Sequence, residues 1–405
     1  MSMVQDDFKE VYLNTPIKVD DENNYIKLKT VSEKIIQYLK GTSLIILLCT
    51  IIIFAIFNKT ELKGNQEMEI DGFLLILLPL ISILLYFLFS YILHRVAFSC
   101  VRRVYITGNP ELPNLFNKFK YIIPWLFTPD LMLSKHYKAK YTELIKIGES
   151  CKCESLKYKN DELSIQCYDS IRIMNKFFIK FSNWLNVIFS VTIGIVVLVI
   201  IMVDIRYKSI ILFSLFCILI YRLFSRTIEI ASAFYKDVVQ VNGRIFYKGN
   251  KKIYLHGWMN SFLRKPARIS LAVHSLFELL VNFFLLYLLT FFLFGDSFSS
   301  SSKVSEYILG DSIFEFILYT ISVMFFNISY INYGFMLWNI LHVWQVTLST
   351  ILIVLSIASY LGYEDDLYKR ENDFFVNVLP KINESHLCSE LKEILNSFLK
   401  KWIKF

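Results

Sequence analysis

Long apolar stretches alternate with polar, charge-rich ones along this chain, and the lengths of the apolar ones decide how it is read. Crossing about 30 Å of hydrocarbon takes roughly 17 to 25 helical residues. Six runs approach or meet that length, at 41–58, 72–94, 183–203, 209–224, 269–294 and 336–361. The fourth is short and ends near Arg222, whose long side chain is expected to snorkel to the membrane surface. Backbone amides find no partners in lipid, so runs of this kind predict helices. The expected fold is therefore all-α, with six transmembrane helices.

Between the fifth and sixth runs lies DSIFEFILYTISVMFF, too short to cross and too apolar for a free loop, followed by the polar NISYIN. Non-helical backbone at membrane depth persists only where protein buries it or where it lines a water-filled cavity. A half-helix followed by a polar extended stretch therefore predicts a re-entrant pore loop between helices 5 and 6.

Charge orients the spans, because Lys- and Arg-rich loops stay cytoplasmic. The segment 95–180 holds fifteen Lys and Arg, and 222–268 holds ten against only Glu229 and Asp237. The loop 58–71 instead sets Lys59 and Lys63 against Glu61, Glu67, Glu69 and Asp71, and Lys303 is the one base of 295–312. Six spans then put both termini in the cytoplasm of a multi-pass protein of the plasma (inner) membrane. The expected organisation is a cytoplasmic N-terminal segment (1–40), a first transmembrane pair (41–94), a helical cytoplasmic linker (95–180), a second pair (181–224), a second linker (225–268), a final module (269–362) and a cytoplasmic amphipathic tail (363–405). In the second linker, helical spacing continues through LFSRTIEIASAFYKDVVQ and breaks at NGRIFYKGNKK.

Composition agrees: 55% of the 405 residues are hydrophobic and mean hydropathy is positive, outside the range of an ordinary soluble domain. The acidic, polar start lacks the basic-then-apolar order of a cleaved secretory signal. The net charge of +8 sits mostly in linkers beside lipid headgroups, so membrane lipids are expected partners and nucleic acid is not. Five of the seven cysteines fall in segments expected to be cytoplasmic, where thiols stay reduced. Cys151 and Cys153 form a C-x-C without a nearby His, a poor metal site. No G-x-x-x-x-G-K, H-E-x-x-H or G-x-S-x-G occurs. Neither an enzyme nor a cofactor is expected.

From Tyr319 the sequence Y-T-I-S-V-M-F-F-N-I-S-Y-I-N lies without gaps on Y-F-S-x-V-T-x-T-T-L-G-Y-G-D, and Q-V-T-L-S-T-I-L-I-V-L-S-I-A-S-Y-L on E-V-x-x-G-x-I-L-I-V-x-S-L-A-x-Y-L. Upstream, SRTIEIASAFYKD and ARISLAVHSLFELLVNFFLLYLL complete the likeness. In these residues, spanning 220–362, the chain resembles the two-transmembrane-span pore module of bacterial potassium-channel-like proteins. The resemblance implies a homotetrameric ion channel that passes monovalent cations. It assigns pore and filter positions to Asn327, Ile328, Ser329, Tyr330, Ile331 and Asn332, and sets Ser349 at the family's glycine hinge.

Tyr319, Val323 and Tyr330 match the family pattern, but Ser329 and Ile331 replace the filter glycines and Asn332 the aspartate. Those glycines adopt left-handed backbone, which costs an L-residue about 1 to 2 kcal/mol and suits a β-branched one least. A faithful ladder of carbonyls is not expected. Asn327, Ser329 and Asn332 would instead offer small polar side chains to partly hydrated cations, giving a weakly selective pore. The alternative is a non-conducting membrane scaffold or sensor that keeps the pore-module fold.

Glu278, an acid inside a span, is a gating or pore-support candidate, as are Ser349 and His342. Its expected partner is an Arg or Lys of the neighbouring linker or a polar group of the last helix, with gating by protonation as the other reading. Arg222 and Arg226 are too few for a voltage sensor and read as positive-inside anchors. His342 and Trp344 read as pore-facing residues or, more simply, as packing or belt residues.

Overall fold

The computed structural model describes residues 72–105, 122–146, 165–203, 205–235, 243–248, 251–256, 265–294, 313–325, 327 and 332–353, with 38, 42 and 45–52. The described chain is almost entirely helical. Its elements in order are α1 (Gly72–Tyr105), α2 (Ile122–Phe127), α3 (Pro129–Lys146), α4 (Ile165–Met202), α5 (Lys208–Phe234), β1 (Gly243–Lys248), β2 (Lys251–His256), α6 (Lys265–Phe294), α7 (Ile313–Met324) and α8 (Met336–Thr350).

Among the described residues, five helices are long and apolar enough to cross a membrane: Ile76–Arg102, Met174–Met202, Lys208–Ala233, Arg268–Phe294 and Met336–Ile353. They coincide with the second to sixth expected spans, which makes a multi-pass helical membrane protein the class of this chain. Of the first expected span, residues 45–52 are helical and most of the rest lies outside the described residues.

One departure from the all-α expectation is a two-stranded antiparallel hairpin, β1 paired with β2 from Gly243↔His256 to Lys248↔Lys251. It occupies the place where helical spacing was seen to break. Ile245, Phe246, Tyr247, Ile253 and Tyr254 are the β-branched and aromatic types that suit a pleated strand.

Burial ranks the helices. In α6, 78% of the apolar stretch is enclosed, against 17% in α1, so α6 is the central helix and α1 a peripheral one. α6 packs on α4, α5, α7 and α8, while α1 packs on α3, α4 and α5. Two clusters form the core. The larger runs through α4 to α8 and takes in Leu47 and Ile51; the smaller joins Phe98, Tyr137, Tyr141, Met174 and Phe178 at one end of α1, α3 and α4.

Ring contacts give the path of the last module. Phe316 of α7 meets Phe291 of α6, and Tyr319 meets Tyr287, so α7 runs back along α6 in the opposite direction. Phe335, just ahead of α8, is 6.0 Å from Phe294 at the end of α6. α8 therefore begins near the level at which α7 begins, by the end of α6.

Candidate functional site

α5 and α6 cross where both carry charge. Glu278 is 1% exposed and α5 takes both its oxygens: Oε1 accepts from Arg222 Nη2 at 2.6 Å and Oε2 from Arg226 Nη2 at 2.7 Å. Arg226 also donates to Glu229, three residues on along its own helix. Arg222 Nη2 further donates to the Asn186 carbonyl at 2.8 Å and to Ser190 Oγ at 3.1 Å, both on α4. Its guanidinium carbon lies 4.7 Å from the centre of the Phe189 ring, a cation–π arrangement. Moving a lone ion into a low-dielectric interior costs several kcal/mol, so each charge here depends on its partners.

Arg222 therefore does not snorkel. It is fully buried, with a carboxylate one helix away and a carbonyl on α4 accepting from its Nη2 and the Phe189 ring beside its guanidinium. Glu278 finds one partner at the start of the second linker, Arg226, and a second in the span itself.

A second buried acid, Asp130, stands at the start of α3. Tyr86 donates to its Oδ2, Ser90 Oγ donates to Oδ1 at 2.5 Å, and Ser225 Oγ donates to Oδ2 at 3.3 Å. His94 Nδ1 is 4.0 Å from Oδ1 and 2.9 Å from the Ser90 carbonyl. A carbonyl only accepts, so Nδ1 carries the proton of that bond, while Nε2 faces Ser182 Oγ at 3.3 Å. Further along α3 the Tyr141 phenol is pushed well above its ordinary pKa, first by burial, and stays a neutral donor to the Phe98 carbonyl at 3.5 Å.

Sequence reasoning missed Asp130 because it lies inside a segment read as a cytoplasmic linker. A signal was present: between Lys120 and Lys135 it is the only charged residue, in the otherwise apolar IIPWLFTPDLMLS. Thr128 and Pro129 just before it suit a helix start, with proline at the first helical position.

Around α7 and α8 the arrangement is aromatic. Tyr319 OH accepts from Trp338 Nε1 at 3.1 Å and lies 2.9 Å from His342 Nδ1. Tyr287 meets the Tyr319 ring edge-on at 5.0 Å and Trp338 at 4.8 Å; Tyr333 stands 6.0 Å from Tyr319 and 5.7 Å from His342. Gln345 Nε2 donates to the Thr320 carbonyl at 2.8 Å. The chain enters α8 through a polar turn: Asn332 Oδ1 accepts from Gly334 N and from Asn339 Nδ2, both at 3.0 Å, and Asn339 Oδ1 accepts from Tyr333 N at 3.1 Å. Gly334 has φ 76°, a left-handed conformation that glycine adopts without penalty.

Of the expected filter positions, Asn327 and Asn332 are described, and Ile328, Ser329, Tyr330 and Ile331 lie outside the described residues. Asn327 is half-buried, its N–H bonded to the Ser322 carbonyl at 3.1 Å; Asn332 is exposed. His342 and Ser349 are both 2% exposed, turned inward among this chain's own helices, and Trp344 Nε1 donates to Thr227 Oγ1 at 3.0 Å. His342 is thus a packing residue of the aromatic group. The structure joins it with Tyr319 and keeps it apart from Glu278, which belongs to the charge cluster. Cys151 and Cys153 lie outside the described residues.

Comparison with protein-family models, curated proteins and solved structures found no match to this chain.

Proposed function

We propose that this chain is a cation channel of the potassium-channel-like class, in which α6, α7 and α8 form the pore module and four copies surround one axis. The observation that carries the reading is the path of α7. It turns back along α6, and the chain then returns to the head of α8, as a half-helix and an ascending filter segment would. A cation at the inner end of such a half-helix meets the negative end of its dipole. Backbone carbonyls and the amide oxygen of Asn327 would replace part of its hydration shell, while the Asn332 oxygen is taken up in the turn ahead of α8. With Ser329 and Ile331 in place of the family's glycines, the pore is weakly selective among monovalent cations.

Exposed faces support assembly. Every exposed described residue of α1 from Phe73 to Ile92 is apolar, a surface suited to lipid. Along α7, the turn and α8, exposed Phe314, Leu318 and Val343 are instead interspersed with exposed Ser322, Asn332 and Thr347. Polar atoms on an apolar wall fit a neighbouring subunit or a water-filled conduit better than hydrocarbon.

The test is the mass of the detergent-solubilised protein, paired with cation flux in liposomes. Four associated 47.7-kDa chains with flux are expected. A monomer overturns the reading, since one module supplies a quarter of a pore wall. A tetramer without flux would leave the alternative, a scaffold or sensor that keeps the pore fold.

A further inference from the structure

The exposed apolar face of α1 extends to Val96, and Arg95 beside it is exposed and lies 5.9 Å from the Tyr91 ring centre, as at a membrane surface. Tyr86 stands nine residues earlier, which at 1.5 Å per residue is about 13 Å deeper. Asp130 is bonded at that depth, to Tyr86 and Ser90. α2 is there too: Trp125 is 6.2 Å from Phe87, and the Leu126 carbonyl accepts from Tyr221 OH. Leu126 and Phe127 are about half exposed and apolar, as lipid-facing residues would be. From Asp130, α3 descends beside α1 until Tyr137 and Tyr141 pack on Phe98, 5.0 and 4.9 Å between ring centres. The chain thus leaves the foot of α1, reappears as α2 at the level of Tyr86 and comes back down as α3.

A short stretch of α5 reads the position of this element. Ser225 bonds Asp130 on α3, Arg222 bonds α4 and α6, Arg226 bonds α6, and Thr227 accepts from Trp344 on α8. Four residues within six positions touch four helices. Both arginines are held by glutamates; Asp130 is held by the hydroxyls of Tyr86, Ser90 and Ser225, with His94 Nδ1 4.0 Å away, and these contacts exist only while α3 stays seated against α1 and α5.

We infer that α2 and the first turns of α3 form a wedge that enters the membrane from the cytoplasmic side, and that residues 222–227 of α5 couple its seating to α6 and α8. The coupling half rests on the pore reading above; the wedge half does not. In this arrangement a cytoplasmic event that pulls the 95–180 segment would withdraw Asp130, free Ser225, and shift the α5 turn that holds Glu278 and Trp344.

The test uses full-length protein with its native cysteines replaced, carrying a nitroxide at Leu126→Cys or at Val343→Cys, the latter on the exposed face of α8. In lipid, Leu126→Cys should favour collision with oxygen over a water-soluble nickel chelate. Preference for the chelate overturns the wedge. Asp130→Asn should change the collision accessibility at Val343→Cys by about threefold or more, and Ser225→Ala, which loses one 3.3 Å bond and is the milder variant, in the same direction by less. An unchanged Val343 signal in folded Ser225→Ala and Asp130→Asn proteins overturns the coupling. Neither readout needs ion flux, so a monomeric or non-conducting protein would sink the pore reading while leaving the wedge to stand or fall on its own spectra.

Discussion

Replacing Glu278 by glutamine keeps the shape of the side chain and removes its charge. Arg222 then keeps the Asn186 carbonyl, Ser190 Oγ and the Phe189 ring but loses the carboxylate 2.6 Å away, at a position with no exposure to solvent. Removing one member of a buried ion pair costs about 3 to 5 kcal/mol, chiefly the penalty of the charge left behind. Arg226 suffers less, because Glu229 still holds its Nη1. In a chain of 405 residues each kcal/mol moves the melting temperature by about 1 °C, so Glu278→Gln should melt roughly 3 to 6 °C below the parent.

Thermal denaturation of the detergent-solubilised protein, followed by the loss of its size-exclusion peak, reads this directly. Partner identity comes from double variants. Glu278→Met combined with Arg222→Met removes both charges and should recover at least half of the loss caused by Glu278→Met alone, since uncharged side chains of similar volume replace buried pairs at little cost. Glu278→Met with Arg226→Met should recover less, because that pair leaves Arg222 unmatched and also strips Glu229 of its partner. Glu278→Gln melting within about 1 °C of the parent, or Arg222 and Glu278 effects that simply add, would refute the buried pair.

Tyr319→Phe deletes the oxygen shared by Trp338 Nε1 and His342 Nδ1, and should cost about 1 to 3 kcal/mol, seen as a lower melting temperature. Gly194→Ala should be nearly neutral by the same assay, because a Cβ there would lie 3.6 Å from Leu285 and Leu47; Gly194→Leu should lose about 1 to 3 kcal/mol to overpacking between α4 and α6. Gln345→Met trades the bond to the Thr320 carbonyl for removal of a buried amide oxygen, and should stay within about 1 kcal/mol of the parent.

How much of this was legible follows from what each physical signal reports. Hydropathy reports length and apolarity, so the second to sixth expected spans each fall on an apolar helix, although the helices Ile76–Arg102, Met174–Met202 and Lys208–Ala233 run well past one expected boundary each. It says nothing about which face a polar side chain presents. Arg222 and Arg226, expected at the end of a span closing near 224, read as surface anchors, and only packing reveals that they lie within the longer helix Lys208–Ala233 and bond to α6. Asp130 was hidden for a different reason: α2 has only 6 residues, and α3, with 18, carries Lys135, Lys138, Lys140, Glu143 and Lys146, so neither registers as a span. The hairpin at 243–256 was visible only as a break in helical spacing, because two strands of six residues carry a weak pattern of their own.

The polar residues singled out near α8 divide along the same line. Ser349, read from its motif position, and His342, read as pore-facing or as packing, both point into the chain's own core, whereas the exposed side of α8 is Met336, Ile340, Val343 and Thr347. With His342, Gln345 and Ser349 inward and Thr347 the one polar residue among those exposed on α8, the helix is inverted for a soluble protein but natural for one whose outer neighbour is lipid or another helix. If four copies meet as proposed, the conduit below the filter is therefore walled mainly by aliphatic side chains, and water would leave such a constriction readily when it narrows. Ion passage would then be controlled by the width between α8 helices, the quantity that the α5 turn, through Thr227 and Trp344, is placed to set.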